Sequence, residues 1–311
     1  MLDIFLTTLP IYLLILLGFA AVRTGYIDGG HISGLSQFAL KVCMPALIVS
    51  AIAMPREGGA LNAAFFSAFL LGSVATLLVG FAAVRVLMRQ SAPDSWVLAM
   101  GMSNSNSGYM GFPVASLFFG PEAAVVFAMA VVIESAVTLP LATIAASASG
   151  EKGAKLGELL SNAARAIVRN PLIIAVCVAA LVRSLGIQLG GPIEQTVRML
   201  AVVSAPLALF VVGGTVARMS VSGHWRRTGA VAVGKLVLHP VLVATMLLVI
   251  PGVPQSLIPI GILFAAMPMV TIYPILAAPF GLSAVTSTAL LVSTALSCIT
   301  VSIVLGFLTG F

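Results

Sequence analysis

Four ionisable residues, Lys41, Glu134, Lys235 and His239, fall inside stretches of sequence that are otherwise apolar. A charge held within a bilayer costs about 2.5–3.5 kcal/mol on insertion scales, so each needs a partner or a function. Glu134 lies near the middle of its stretch, in "MAVVIESAVTLP". Lys235 and His239 are four residues apart, a spacing that puts them on one face of a helix. Desolvation favours the neutral acid at Glu134, whereas a nearby Lys235 favours the carboxylate. A group balanced between those effects can take up a proton in one conformation and release it in another. The same two residues can equally form a structural ion pair. His239 precedes Pro240, a position suited to a helix kink, although imidazole titrates near neutral pH and so suits proton transfer. Lys41 can snorkel to the surface.

The second anomaly is a polar run, "MGMSNSNSGYMGFP", from Met100 to Pro113. Serines, asparagines, glycines and a proline form helix poorly, and exposed backbone at membrane depth costs several kcal/mol per unpaired group. Such a run survives mid-membrane only when buried in protein or lining a wet cavity. Asn104 and Asn106 each offer donors and an acceptor, and Ser103, Ser105 and Ser107 offer hydroxyls. Where a helix breaks, the next half-helix begins with free N–H groups and a positive dipole end, which attract carboxylates. The serines can instead cap the broken ends or let helices pack closely.

These residues sit in a chain of 311 residues that is 60% hydrophobic and 8% charged, with a mean hydropathy of +1.17. No soluble domain hides that much apolar surface, so the class is an all-α polytopic membrane protein. Spans of about 20 apolar residues are required; ten are expected, near 4–22, 33–53, 63–87, 96–119, 123–147, 170–187, 196–217, 228–250, 256–279 and 284–309. Period-2 alternation is absent, which argues against a β-barrel. The first apolar run reads as a transmembrane helix rather than a signal peptide, because its basic residue, Arg23, follows the run.

The net charge of +6 does not indicate a nucleic-acid partner, because the basic residues segregate by side. With loops numbered alternately from outside, Arg23, Arg85, Arg89, Lys152, Lys155, Arg165, Arg169, Arg218, Arg226 and Arg227 fall inside, and Arg56, Arg183 and Arg198 outside. That bias predicts both termini outside the cytoplasm and a cytoplasmic basic loop over 149–169. Cys43, Cys177 and Cys298 lie on separate spans without a paired motif, so no disulfide or metal framework is expected.

The chain is also written twice. Pro10 and Pro171, Pro45 and Pro206, Pro113 and Pro274, and Gly120 and Gly281 are each 161 residues apart. The halves are residues 1–148 and 170–311, with five spans each. An odd number of spans per repeat makes the second copy inverted, an architecture common among secondary transporters. The segment equivalent to the polar run, "AAMPMVTIYPILAAPFG", carries Pro268, Pro274 and Pro279. Two interrupted segments at corresponding positions are the best sequence pointer to a transport site.

At these residues the chain resembles the auxin efflux carrier family, which includes plant auxin exporters and bacterial carriers of malonate and other small carboxylates. Plant members carry Pro-Asn-Thr-x-x-Met-Gly-x-Pro in span 4. Here "SNSGYMGFP" supplies the asparagine at Asn106, Met110 and Gly111, and the closing proline at Pro113; Ser107 replaces the threonine and Ser105 the crossover proline. Pro268 stands at the second crossover. The resemblance implies broken, crossing helices 4 and 9, a mobile core domain, a homodimer built on a scaffold, and contact between Asn106 and the substrate's carboxylate. Thr271 and Tyr273 join the expected binding group by position alone, and Tyr273 can equally be a packing aromatic.

The expectation is therefore a secondary carrier of a small organic anion in a bacterial inner membrane. Asn104, Asn106, Ser107, Pro113, Pro268, Thr271 and Tyr273 form its binding group, and Glu134, Lys235 and His239 its coupling group. No cofactor is expected, only coupling to H+ or Na+. The alternatives are a sodium-coupled symporter resembling the bile-acid group, and a sensor or channel for the same ligand. Zinc-protease and nucleophile-elbow motifs are absent, as are phosphate-binding loops, so neither an enzyme nor a nucleotide-driven pump is expected.

Overall fold

The computed structural model describes residues 2–54, 61–150, 155–219, 221 and 223–309. Arg56 and Lys152, two of the charges used above to assign membrane sides, lie outside the described residues. Among the described residues the chain is helical, with no strand and one isolated antiparallel bridge, Ser105 to Met269.

Among the described residues, seven helices are long and apolar enough to cross a membrane: Leu6–Arg23, Gly29–Ala53, Ala63–Leu87, Glu122–Ala148, Gly191–Val216, Trp225–Val249 and Ser283–Leu308. Leu156–Val168 and Pro171–Ser184 meet at a 57° bend and would make an eighth. Seven of the ten expected spans are thus continuous helices. The segment expected at 170–187 is the 14-residue helix Pro171–Ser184. The two remaining segments are interrupted: one into Ala92–Ser103 and Phe112–Phe119, the other into Leu257–Ala266 and Tyr273–Ala277.

The segment read as a basic loop contains the helix Leu156–Val168, none of whose residues is buried. Its Leu156, Leu159, Leu160, Ala163 and Ile167 recur at three- and four-residue intervals, an amphipathic pattern too short to register as a span.

Prolines shape several of the helices in one way. Wide turns of the π type occupy Ala39–Cys43, Ser107–Gly111, Glu134–Thr138 and Gly234–Leu238. Each ends two residues before a proline: Pro45, Pro113, Pro140 and Pro240. Proline has no N–H to bond the carbonyl four residues back, and its ring crowds that carbonyl, so the preceding turn opens. The bonds shift accordingly to five-residue reach, from the N–H of Met44 to Ala39, of Leu139 to Glu134 and of His239 to Gly234.

Contacts group the chain differently from its repeats, into one unit of Met1–Asn62, Ser107–Val132 and Arg169–Arg218 and another of Ala63–Asn106, Ile133–Val168 and Met219–Phe311. In the first, the helices Leu2–Arg23 and Gly191–Val216 lie in close contact. A Cβ on Gly18 would overlap the Phe210 carbonyl, and one on Gly213 the Ile15 carbonyl. Small residues of this kind let backbones approach where lipid supplies no hydrophobic drive. Two open clefts of about 510 and 480 Å³ flank Glu194 and Arg198 in this unit.

The second unit has a core of Leu77, Val84, Leu98, Met100, Ala142, Val231, Tyr273 and Leu290. Leu71, Leu78, Val86, Val241 and Leu248 are exposed, as lipid-facing positions are.

The glycine contact yields a prediction. Gly213→Leu should force the two helices apart at a cost of about 1–3 kcal/mol or more. Thermal unfolding in detergent should show a clear fall in Tm. Gly229→Ala, at a helical position with nothing within 4 Å of an added Cβ, should leave Tm the same or slightly higher.

Candidate functional site

The first interruption begins where the Ala92–Ser103 helix runs out of helix formers. That helix is started by Ser91, whose side chain accepts from the Asp94 N–H at 3.2 Å, with proline in its first turn. It stops at Asn104, whose backbone is extended (φ −117°, ψ 122°). The Asn104 amide donates to the Met100 carbonyl at 2.8 Å, one of the carbonyls the broken helix leaves without a helical partner, and to Ser103 Oγ at 3.1 Å. Its Oδ1 accepts from Thr138 Oγ1.

The second interruption follows Leu257–Ala266. Met267 turns extended (φ −63°, ψ 155°), and Pro268 cannot continue the helix. The two unwound runs then bond to each other. The Asn106 N–H donates to the Pro268 carbonyl at 2.7 Å, and the Val270 N–H to the Asn104 carbonyl at 3.2 Å, with Ser105 facing Met269. Beside this pairing the Asn106 amide donates to Thr271 Oγ1 at 2.9 Å. That bond uses one of the four hydrogen-bonding positions a carboxamide offers. Asn106 is 2% exposed and Thr271 half-buried.

The ionisable residues meet the same place from another side. The Ser105 N–H donates to Glu134 Oε1 at 3.1 Å, and Lys235 Nζ donates to Ser105 Oγ at 2.8 Å. Ser105 therefore links the buried acid to the buried base. Lys235 also bonds His239 Nδ1 and the Ala265 carbonyl, both at 2.6 Å. With Nδ1 accepting from Lys235, the imidazole proton sits on Nε2, 3.1 Å from Ser73 Oγ. Glu134 opens one wide turn and Lys235 lies in another. A wide turn displaces backbone bonds and often marks a functional place in a helix.

The structure thus brings Asn104, Asn106, Pro268, Thr271, Glu134, Lys235 and His239 together in the second unit. Ser107 and Pro113 belong to the first, Ser107 in a wide turn and Pro113 in the helix that follows. Tyr273 is fully buried, with its hydroxyl donating to the Val97 carbonyl at 3.0 Å and its ring against Gly101, where an added Cβ would lie 2.5 Å away. Lys41 is exposed and bonds Gln37 at 3.1 Å. Sequence reasoning missed the linking role of Ser105 and the parts of Thr138, Ser73 and Ala265. Thr138 lies one turn beyond Glu134, a spacing that carried a signal. Ala265 acts through its carbonyl, which carries none.

An all-helical chain with this run of apolar helices, around unwound polar segments, is an integral membrane protein. It belongs to the membrane transport protein family, that of the auxin efflux carriers, whose profile matches residues 3–305. Over 299 residues the chain is 27% identical to the "Putative malonate transporter" of Rhizobium meliloti (strain 1021), spanning 94% of this chain and 92% of that protein. Over 216 residues it is 22% identical to the "Uncharacterized transporter YfdV" of Escherichia coli (strain K12), covering 67% of each. The family and these relatives are transporters, not enzymes.

The bonding pattern separates the two asparagines. Asn104 is committed to the broken helix end and to Thr138, so Asn104→Ala should destabilise the protein by about 1–3 kcal/mol, read as a lowered Tm in detergent. Asn106→Ala, which removes one hydrogen bond between the segments, should lower Tm by less.

Proposed function

We propose that the chain is a secondary active carrier of a small organic anion, a carboxylate such as malonate, and that the paired interruptions are its binding site. In this reading it crosses a bacterial inner membrane ten times, as two inverted five-helix repeats over 1–148 and 170–311. Both termini lie outside, and the two interrupted spans cross. The constant 161-residue offset between landmarks supports the repeats, and the interruptions fall at corresponding places in them. The observation that carries the site is the backbone pairing of Asn106 with Pro268, beside the Asn106–Thr271 bond. A carboxylate oxygen can take over the Asn106 N–H now given to Thr271 Oγ1 and accept from the Thr271 hydroxyl as well. Asn106 and Thr271 then hold the substrate, with Pro268 fixing the backbone beneath them. The name given to the Rhizobium relative supports malonate as the first substrate to test.

Coupling to protons follows from Glu134. Its carboxylate accepts from the Ser105 N–H, in the residue immediately before Asn106. A proton on that oxygen weakens the bond, so proton occupancy and the geometry of the binding segment depend on each other. Lys235, which bonds Ser105, and His239, which bonds Lys235, complete the coupling group.

The test is uptake of labelled malonate and related carboxylates into proteoliposomes under an imposed pH gradient. Wild type should concentrate one of the acids. Asn106→Ala should lose about tenfold or more of its uptake, the effect of a hydrogen bond to a charged ligand. Glu134→Gln should exchange substrate across the membrane yet fail to concentrate it. Equal behaviour of three well-folded proteins would remove the site assignment.

A further inference from the structure

Lys235 is fully buried, and each of its three ammonium donors has an acceptor. The acceptors come from three places: Ser105 Oγ in the first interruption, His239 Nδ1 on its own helix, and the Ala265 carbonyl at the end of Leu257–Ala266. That carbonyl is among the last four of its helix, which have no partner within it and form the negative end of its dipole. Glu134 supplies the counter-charge through the Ser105 N–H. A helix C-terminus, a hydroxyl and a nearby carboxylate around unwound backbone are the surroundings in which carriers with broken helices coordinate Na+. Here they surround an ammonium held by the chain itself.

We infer that Lys235 is a tethered cation that does the structural work of a bound Na+, holding the two interrupted segments together, so that this protein needs no Na+ to assemble its site. Removing the side chain beyond Cβ leaves a buried vacancy with oxygen and nitrogen acceptors and an uncompensated acid. That vacancy has the chemistry to accept Na+ or a primary alkylammonium. The inference rests on the reading of the interruptions as a transport site, but its consequence is a stability that depends on ions, which needs no substrate.

The experiment compares Tm of purified wild type, Lys235→Ala and Lys235→Met in choline chloride, sodium chloride and propylammonium chloride at one ionic strength. Wild type should show the same Tm in all three. Lys235→Ala should melt about 5–10 °C lower in choline, as expected for a buried charge stripped of its partner. Sodium or propylammonium should recover at least half of that loss, saturably. Lys235→Met should be destabilised alike in all three salts, because its stem fills the vacancy without the charge. Equal destabilisation of Lys235→Ala in every salt overturns the inference, as does no destabilisation at all. If Lys235→Ala does not fold, the wild-type titration decides alone: saturable stabilisation by Na+ overturns the inference, and a flat response upholds it. Failure of carboxylate uptake with the salt pattern intact would overturn the substrate reading and leave the tethered cation standing.

Discussion

Backbone that leaves a helix inside a membrane has no water to bond, and the second unit of this protein is arranged around that constraint. Two runs of unwound backbone satisfy each other through the Asn106–Pro268 and Asn104–Val270 bonds. Everything nearby extends that solution. Asn104 covers one carbonyl left by the first broken helix, and Lys235 covers one left by the other. Neither interruption would be tolerable alone, because each supplies acceptors for donors of the other. The pairing is therefore a condition of the fold and, on the reading proposed above, the place where the ligand is recognised.

The buried charges obey the same logic. An isolated Lys235 or Glu134 at this depth would be costly, but Ser105 stands between them, giving its N–H to the acid and its hydroxyl oxygen to the base. A serine can do both at once, because it brings a backbone donor and a side-chain acceptor to one point. A proline at this position, as in the plant pattern, would have neither. At Ser105, where the chain departs from that pattern, it gains both of these bonds.

The places that broke the apolar background were legible in the sequence. The serine–asparagine run, the prolines of the equivalent segment and the trio Glu134, Lys235 and His239 all stand out against it, and the structure brings Asn104, Asn106 and Pro268 together with the trio. Continuous helices were equally legible, since length and hydropathy alone define them. What the sequence concealed was work done by unremarkable residues. Ala265 contributes a carbonyl, which every residue owns. Ser73 reaches His239 from a helix 166 residues away, with no local pattern to announce it. Tyr273 carries a hydroxyl and so reads as a ligand group, yet it sits at 0% exposure with that hydroxyl on a backbone carbonyl, a matter of depth that composition does not record. The Leu156–Val168 helix was hidden by its brevity and by the charges on its outer face.

The four wide turns bear on how such a protein changes over generations. A turn closed by a five-residue bond holds one residue more than the regular coil, so it can absorb a single inserted codon locally. The helix on either side then keeps its facing and its neighbours. Glu134 and Lys235 both stand in such turns. Each charge thus occupies a local enlargement of its span that is anchored by a proline two residues beyond the turn, and the helices that carry these charges need no repacking to hold them.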